Sequence, residues 1–128
     1  MSEKALVVEA KDVKKSYRIS RSELVVLKGI SLEIREGEII TIVGPSGVGK
    51  STLLHILGAL DKPSSGEVKI DGLTTSALPD EKMAQFRNER IGFVFQFHHL
   101  LPEFSALENV MMPALIGGKK INEIKDQA

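Results

Sequence analysis

Gly44-Pro45-Ser46-Gly47-Val48-Gly49-Lys50-Ser51 decides how this 128-residue chain is read. The octapeptide fits G-x-x-x-x-G-K-S/T at every fixed position. A random window matches that pattern about 4 times in 100,000, so chance does not account for it. Ahead of it runs Ile39-Ile40-Thr41-Ile42-Val43, almost wholly apolar, which predicts a strand buried on both faces. Behind it Leu53, Leu54, Ile56, Leu57 and Leu60 recur on one helical face. A strand, a glycine loop and a helix in that order turn successive backbone N–H groups inward as an anion nest. The helix N-terminus adds free donors and partial positive charge. Glycine is required wherever a Cβ would clash or φ must be positive.

The octapeptide therefore predicts a polyphosphate cradle. Gly44, Pro45, Ser46, Gly47, Val48 and Gly49 wrap the phosphates. Lys50 bridges the β- and γ-phosphates, and the Ser51 hydroxyl ligates Mg²⁺. Thr52 hydrogen-bonds near the α-phosphate. The expected ligand is a nucleoside triphosphate with its magnesium ion, Mg·ATP in the first place.

Upstream, residues 5–10 and 13–19 read as two short strands, and residues 19–23 as a polar loop. Residues 24–27 and 30–35 continue the β pattern, the second with the alternation of a half-buried antiparallel strand. Downstream, Pro63 stops the first helix near Asp61. Residues 67–72 read as a short strand ending in a turn, and residues 79–89 as a helix. Residues 91–95 are an apolar strand. Ser105 and Glu108 form a capping-box signature for a helix that Pro113 strains or ends. A last helix begins at Ile121.

Composition narrows the classes. Hydrophobic residues make up 42%, enough for a packed core. Lys plus Arg and Asp plus Glu are 17 each, so no bulk charge predicts a nucleic-acid partner. There is no cysteine, which excludes disulfides and thiolate chemistry. The first residues lack the apolar core of a signal peptide, and no apolar run approaches the roughly 18 residues of a membrane span. The chain reads as soluble, with any membrane role reached through a partner.

Beyond the phosphate loop, residues 27–32 and Glu36-Gly37-Glu38 resemble the lead-in of ATP-binding-cassette (ABC) ATPases. Residues 63–68 resemble that family's turn into the next strand, and residues 91–96 the strand ending in its glutamine loop. Among subfamilies, residues 97–110 and 54–61 are most similar to the lipoprotein-releasing-system ATPases. The macrolide-exporter and cell-division ATPases share much of this pattern. The resemblance implies an α/β fold, a RecA-like P-loop NTPase core with an antiparallel β subdomain. It covers residues 1–128 as the N-terminal portion of one ATPase domain, ending before the signature motif and the Walker B strand.

By the same resemblance Tyr17 stacks on adenine, although a Tyr after a strand also serves as plain surface packing. Gln96 takes the place of the glutamine that reaches Mg²⁺ and the attacking water; its amide both donates and accepts. Lys50 and Gln96 are thus the expected catalytic residues, and Ser51 and Gln96 the metal-facing ones. Phe97, Leu100, Leu101 and Phe104 form an apolar patch in a loop. The patch either pads the local core or docks a transmembrane permease subunit, as in the family. The adjacent His98 and His99 lack the partners of a metal site, and His55 reads as packing. A second ATPase subunit is the expected homodimer partner. The expected location is the cytoplasmic face of the cell membrane, held there by the permease.

The chain departs from the family pattern downstream. It carries no L-S-G-G-Q and no apolar strand ending in Asp-Glu. Poor hydrolysis by these residues alone, and self-association through an uncovered strand edge, are the expectations that follow. Two other readings stand beside the transporter ATPase. A nucleotide-binding module would bind Mg·ATP without turnover. A P-loop GTPase would need N-K-x-D, which is not present. A small-molecule kinase would need a basic lid, for which Lys119-Lys120 is a poor candidate.

Overall fold

The computed structural model describes residues 4–45, 47, 49–97, 99–124 and 126–127; Ser46, Val48 and His98, singled out above, lie outside the described residues. The chain divides into two compact units, Met1–Met83 and Ala84–Ala128.

The first unit is built on an antiparallel sheet in the order β2-β1-β3-β4. The strands are β1 (Leu6–Ile19), β2 (Ser22–Arg35), β3 (Ser65–Ile70) and β4 (Leu73–Thr74). The two strands expected at 5–10 and 13–19 are one. Asp12 breaks the alternation with φ 47°, and the register with β2 shifts between Ala10 and Val13. Its amide donates to Ser31 Oγ at 2.8 Å, so the break is a bulge inside a continuous strand. β3 runs against that bulge. A Cβ on Gly66 would stand 2.3 Å from the Asp12 carbonyl oxygen, and only glycine permits the approach. The segments at 24–27 and 30–35 likewise form one strand, and the expected loop at 19–23 shrinks to a tight turn around Ser20, φ 54°. Asp71 and Gly72 both have positive φ, as a two-residue hairpin turn between β3 and β4 requires.

Helix α1 (Lys50–Leu57) follows the phosphate loop. Ala10, Val13, Leu27, Val68 and Ile70 from the sheet are buried, as are Leu53, Ile56 and Ala59 from α1 and its C-terminal turn. Each large aliphatic among them contributes about 1.5–3 kcal/mol on burial. Leu54 and Leu60, expected on the same apolar face, are exposed, because the first unit covers only one flank of α1. Helix α2 (Asp80–Arg90) opens with Asp80 and Glu81 and closes with Arg87 and Arg90, the charge order its dipole favours.

Two expected strands do not form. Residues 39–43 have no ladder partner among the described residues; Ile39 is 95% exposed and Val43 84%. Residues 91–95, in the second unit, are also outside any sheet, and Val94 is fully exposed. A strand buried on both faces exists only when neighbouring strands and covering helices supply hydrogen bonds and apolar contact. The apolar runs are present in the sequence, and the partners are not among the described residues.

In the second unit, α3 (Ala106–Ile116) and α4 (Ile121–Ile124) follow an irregular stretch, and Met111 and Ile124 are buried. The capping box forms: the Glu108 amide donates to Ser105 Oγ at 3.1 Å, and the Ser105 amide to Glu108 Oε1 at 2.9 Å. Pro113 does not end α3, which continues to Ile116. The Pro113 carbonyl accepts from the Gly117 amide at 3.0 Å and from Asn88 Nδ2 at 2.8 Å.

Candidate functional site

The site begins at Gly49, the N-cap of α1. It adopts φ 93° and ψ 7°, which L side chains rarely reach. A Cβ there would stand 2.8 Å from Val26 Cγ1 and 3.1 Å from Leu27 Cδ2. The loop is thus drawn against β2 at the residue where the helix starts. Gly47 also has positive φ, 80°, with open space around it. No side chain caps the helix, and its first turn carries no acidic residue. The Leu53 amide is the first to close the α1 ladder, onto the Gly49 carbonyl at 2.8 Å. The amides of Lys50, Ser51 and Thr52 have no acceptor within the helix, the usual state of a first turn. They form, with the helix dipole, a point of positive potential suited to an anion.

Lys50 folds back over this loop. Its Nζ donates to the carbonyl oxygen of Gly44 and, at 3.2 Å, to that of Pro45. The ammonium is therefore held at the first two residues of the loop, with three donors to share among oxygens. Ser51 is exposed and Thr52 half-buried in the same first turn. The structure brings Gly44, Pro45, Gly47, Gly49, Lys50, Ser51 and Thr52 together in the first unit.

Tyr17 lies near the end of β1, paired with Leu24, and is 40% exposed. Its hydroxyl donates to Asp61 Oδ2 at 3.3 Å. Lys15 Nζ sits 5.1 Å from the centre of the Tyr17 ring and 3.3 Å from Asp61 Oδ1. It also donates to the Lys62 carbonyl at 2.8 Å. Sequence reading missed Lys15 and Asp61. No local pattern marks them, since the contact joins positions 44 residues apart.

Gln96 belongs to the second unit, exposed at a bend after residues 91–95. Phe97, Leu100, Leu101 and Phe104 are all exposed, so they do not pad a core among the described residues. Their loop is held from α3 by Asn109. Its Nδ2 donates to the carbonyls of Leu101, Phe104 and Ser105 at 3.1, 3.2 and 2.9 Å. Its Oδ1 accepts from the Leu101 amide at 2.8 Å. The backbone at Leu101, Phe104 and Ser105 is thus tied to α3, while the side chains of Leu101 and Phe104 stay exposed. No helix among the described residues is long and apolar enough to cross a membrane.

Comparison with known proteins bears on the family and the fold. A family profile described as "ABC transporter" matches residues 27–128. The lipoprotein-releasing system ATP-binding protein LolD of Porphyromonas gingivalis is 53% identical over 123 residues, which are 96% of this chain and 54% of that protein. LolD of Geobacter metallireducens is 58% identical over 114 residues, 89% of this chain and 51% of its own length. The chain spans about half the length of the curated relatives it matches. Among solved structures, the dimeric ATP-binding cassette MJ0796 in a post-hydrolysis state bound to ADP and Pi superposes with a TM-score of 0.86 at 43% identity. The match covers 93% of this chain and 53% of that one.

Proposed function

This chain belongs to the ABC transporter family, as an ATP-binding subunit with the α/β fold of a P-loop NTPase cassette, and from that premise we propose how its residues act. Residues 1–128 form the N-terminal portion of one nucleotide-binding domain. The loop from Gly44 through Ser46 and Val48 to Ser51, with Thr52, holds the phosphates of ATP. Tyr17 stacks on the adenine. One observation supports the reading above the others: Gly49, at positive φ and packed against Val26 and Leu27, starts α1 directly behind the loop, and Lys50 in its first turn reaches back to the Gly44 and Pro45 carbonyls.

The chain's own groups suit a magnesium–triphosphate ligand. Among the described residues no cluster of three or more His, Cys, Asp or Glu could hold a metal ion. The Ser51 hydroxyl is the protein oxygen in place, and Mg²⁺ normally takes few protein ligands beside phosphate and water. When bound, the ion neutralises phosphate charge. Lys50 exchanges its loop carbonyls for phosphate oxygens. Gln96 orients water through an amide that donates and accepts at once.

The names of the relatives support a finer reading. In the whole protein, two such subunits couple ATP binding and hydrolysis to release of lipoproteins from the cytoplasmic membrane. The solved relative is dimeric, which supports a homodimer. Phe97, Leu100, Leu101 and Phe104 dock a transmembrane permease subunit, and that contact holds the protein at the inner face of the membrane.

Isothermal calorimetry with Mg·ATP tests the nucleotide site. Saturable binding is expected for the native chain, with at least a tenfold loss in Lys50→Ala, the scale of a charge-assisted hydrogen bond. An unchanged melting temperature in the variant separates binding from folding. No saturable heat at millimolar Mg·ATP would overturn the reading. In the full-length protein, Phe97→Asp should abolish co-purification with the permease while leaving ATP binding intact; retained co-purification would remove the docking assignment.

A further inference from the structure

Tyr17 does not stand alone at the end of β1. Its hydroxyl donates to Asp61 Oδ2 at 3.3 Å, and one face of its ring carries the Lys15 ammonium, 5.1 Å from the centre. The side chain of Lys15 is only 14% exposed and is held from two sides. Asp61 Oδ1 lies at 3.3 Å, and the Lys62 carbonyl at 2.8 Å. Asp61 in turn is fixed to the end of α1: its amide donates to the His55 carbonyl at 3.2 Å, and its Oδ1 accepts from the Lys62 amide at 2.8 Å. A planar ring that is pinned at its hydroxyl and covered on one face has its plane set, and offers the other face for stacking.

We infer that Asp61, with Lys15, is a positioning residue for the aromatic platform: it orients Tyr17 for a purine base. It also ties that platform to the helix whose first turn grips the phosphates. The inference rests on the reading of Tyr17 as the adenine-stacking residue. α1 is eight residues long, about two turns, so the helix whose first turn carries the phosphate-binding groups leads at its other end to Asp61, which holds Tyr17 of β1. A preset ring costs less ordering on binding than a free one. A cation on the far face also draws on the ring's quadrupole, which changes how the ring meets a base.

The chain offers a direct probe, since Tyr17 is its only tyrosine and it has no tryptophan. Tyrosine emission therefore reports this one ring. A carboxylate accepting from the phenol quenches it, so Asp61→Ala and Asp61→Asn should brighten the ligand-free chain. Emission equal to the native chain in both would overturn the contact. Calorimetry then compares Mg·ATP with magnesium tripolyphosphate, which has no base. Asp61→Ala and Tyr17→Phe should each weaken ATP about three- to tenfold, the reach of one exposed hydrogen bond and the order it imposes, and the double variant no further. Tripolyphosphate affinity should move less than about twofold. Asp61→Asn, which keeps an acceptor and the shape, should lose less and guards against a folding failure in the alanine variant.

Equal losses for ATP and tripolyphosphate would mark Asp61 as structural only and overturn the inference. ATP weakened by Tyr17→Ala but untouched by Asp61→Ala would overturn it while leaving the stacking role standing. ATP untouched by Tyr17→Ala would remove the stacking role, and the inference with it.

Discussion

A Cβ on Gly49 would stand 2.8 Å from Val26 Cγ1, while one on Gly47, two residues earlier in the same loop, would meet nothing within 4 Å. Both glycines have positive φ, 93° and 80°. The pair therefore separates backbone strain from steric contact. Gly47→Ala should cost about 1–2 kcal/mol, the strain of an L residue in the left-handed region. Gly49→Ala adds the clash with β2, and the loop must move to relieve it. We expect a stability loss larger by about 1–3 kcal/mol and a much weaker Mg·ATP titration, because the first amides of α1 lose their aim. Equal melting temperatures for the two variants would show that contact with Val26 does not hold the loop.

Acid should loosen the start of α3. The backbone amide of Ser105 hydrogen-bonds Glu108, and the Ser105 hydroxyl adds a second bond; together they hold the Glu108 carboxyl below its ordinary 4.5. A carboxyl depressed in the folded state adds stability that is fully present above its unfolded value. That stability is lost as pH falls through the folded value. Amide exchange at Glu108 should therefore slow little between neutral pH and 5, beyond the intrinsic pH dependence, and lose protection below about 4.5. Glu108→Gln, which removes the titrating carboxyl and keeps the Ser105 hydroxyl that accepts from the residue 108 amide, should remove this pH dependence. Protection at Glu108 that is the same at pH 3 and pH 6 would contradict it.

The 128 residues by themselves should bind Mg·ATP and turn it over poorly. Phosphoryl transfer depends on a positioned water and on charge neutralised on every side of the γ-phosphate. Lys50, Ser51 and Gln96 are candidates for part of that work. The sequence holds no L-S-G-G-Q and no apolar strand ending in Asp-Glu for the rest. Phosphate release should be at least about a hundredfold slower than for the full-length protein, the usual contribution of a missing general base. Turnover within tenfold of the full-length rate would show that these residues suffice.

Local chemistry was legible in the sequence, and non-local partnership was not. Gly49 at the helix start, the Ser105–Glu108 box and the Asp71-Gly72 turn each follow from a few adjacent residues, and each is in place. Residues 39–43 and 91–95 have strand composition, but a strand is a pairing, and composition cannot say whether a partner is present. The fusion of two expected strands into β1 depended on Asp12 tolerating positive φ beside Ser31 and Gly66, far along the chain. The partners of Tyr17 were invisible for the same reason. Lys15 and Asp61 are ordinary surface residues until the fold brings them together.

The same unpaired segments predict association. Ile39 is 95% exposed and Val43 84% in the first unit, and Val94 and Phe97 are exposed in the second. Apolar stretches with no ladder partner among the described residues invite another chain to complete them. The 128-residue chain should scatter light as a dimer or larger at tens of micromolar, an order-of-magnitude range for weak apolar association. Ile39→Lys with Val43→Lys should shift it toward monomer. The melting temperature should not fall, because neither side chain is buried within the first unit. In the full-length protein the outcome should reverse. If residues 39–43 there become a strand buried on both faces, two lysines in it would each cost several kcal/mol of desolvation, and the protein would melt far earlier. A monodisperse native monomer at every concentration would mean these apolar residues shield one another in solution. Tolerance of both lysines in the full-length protein would mean that the segment stays at the surface, and that the cassette completes its sheet without it.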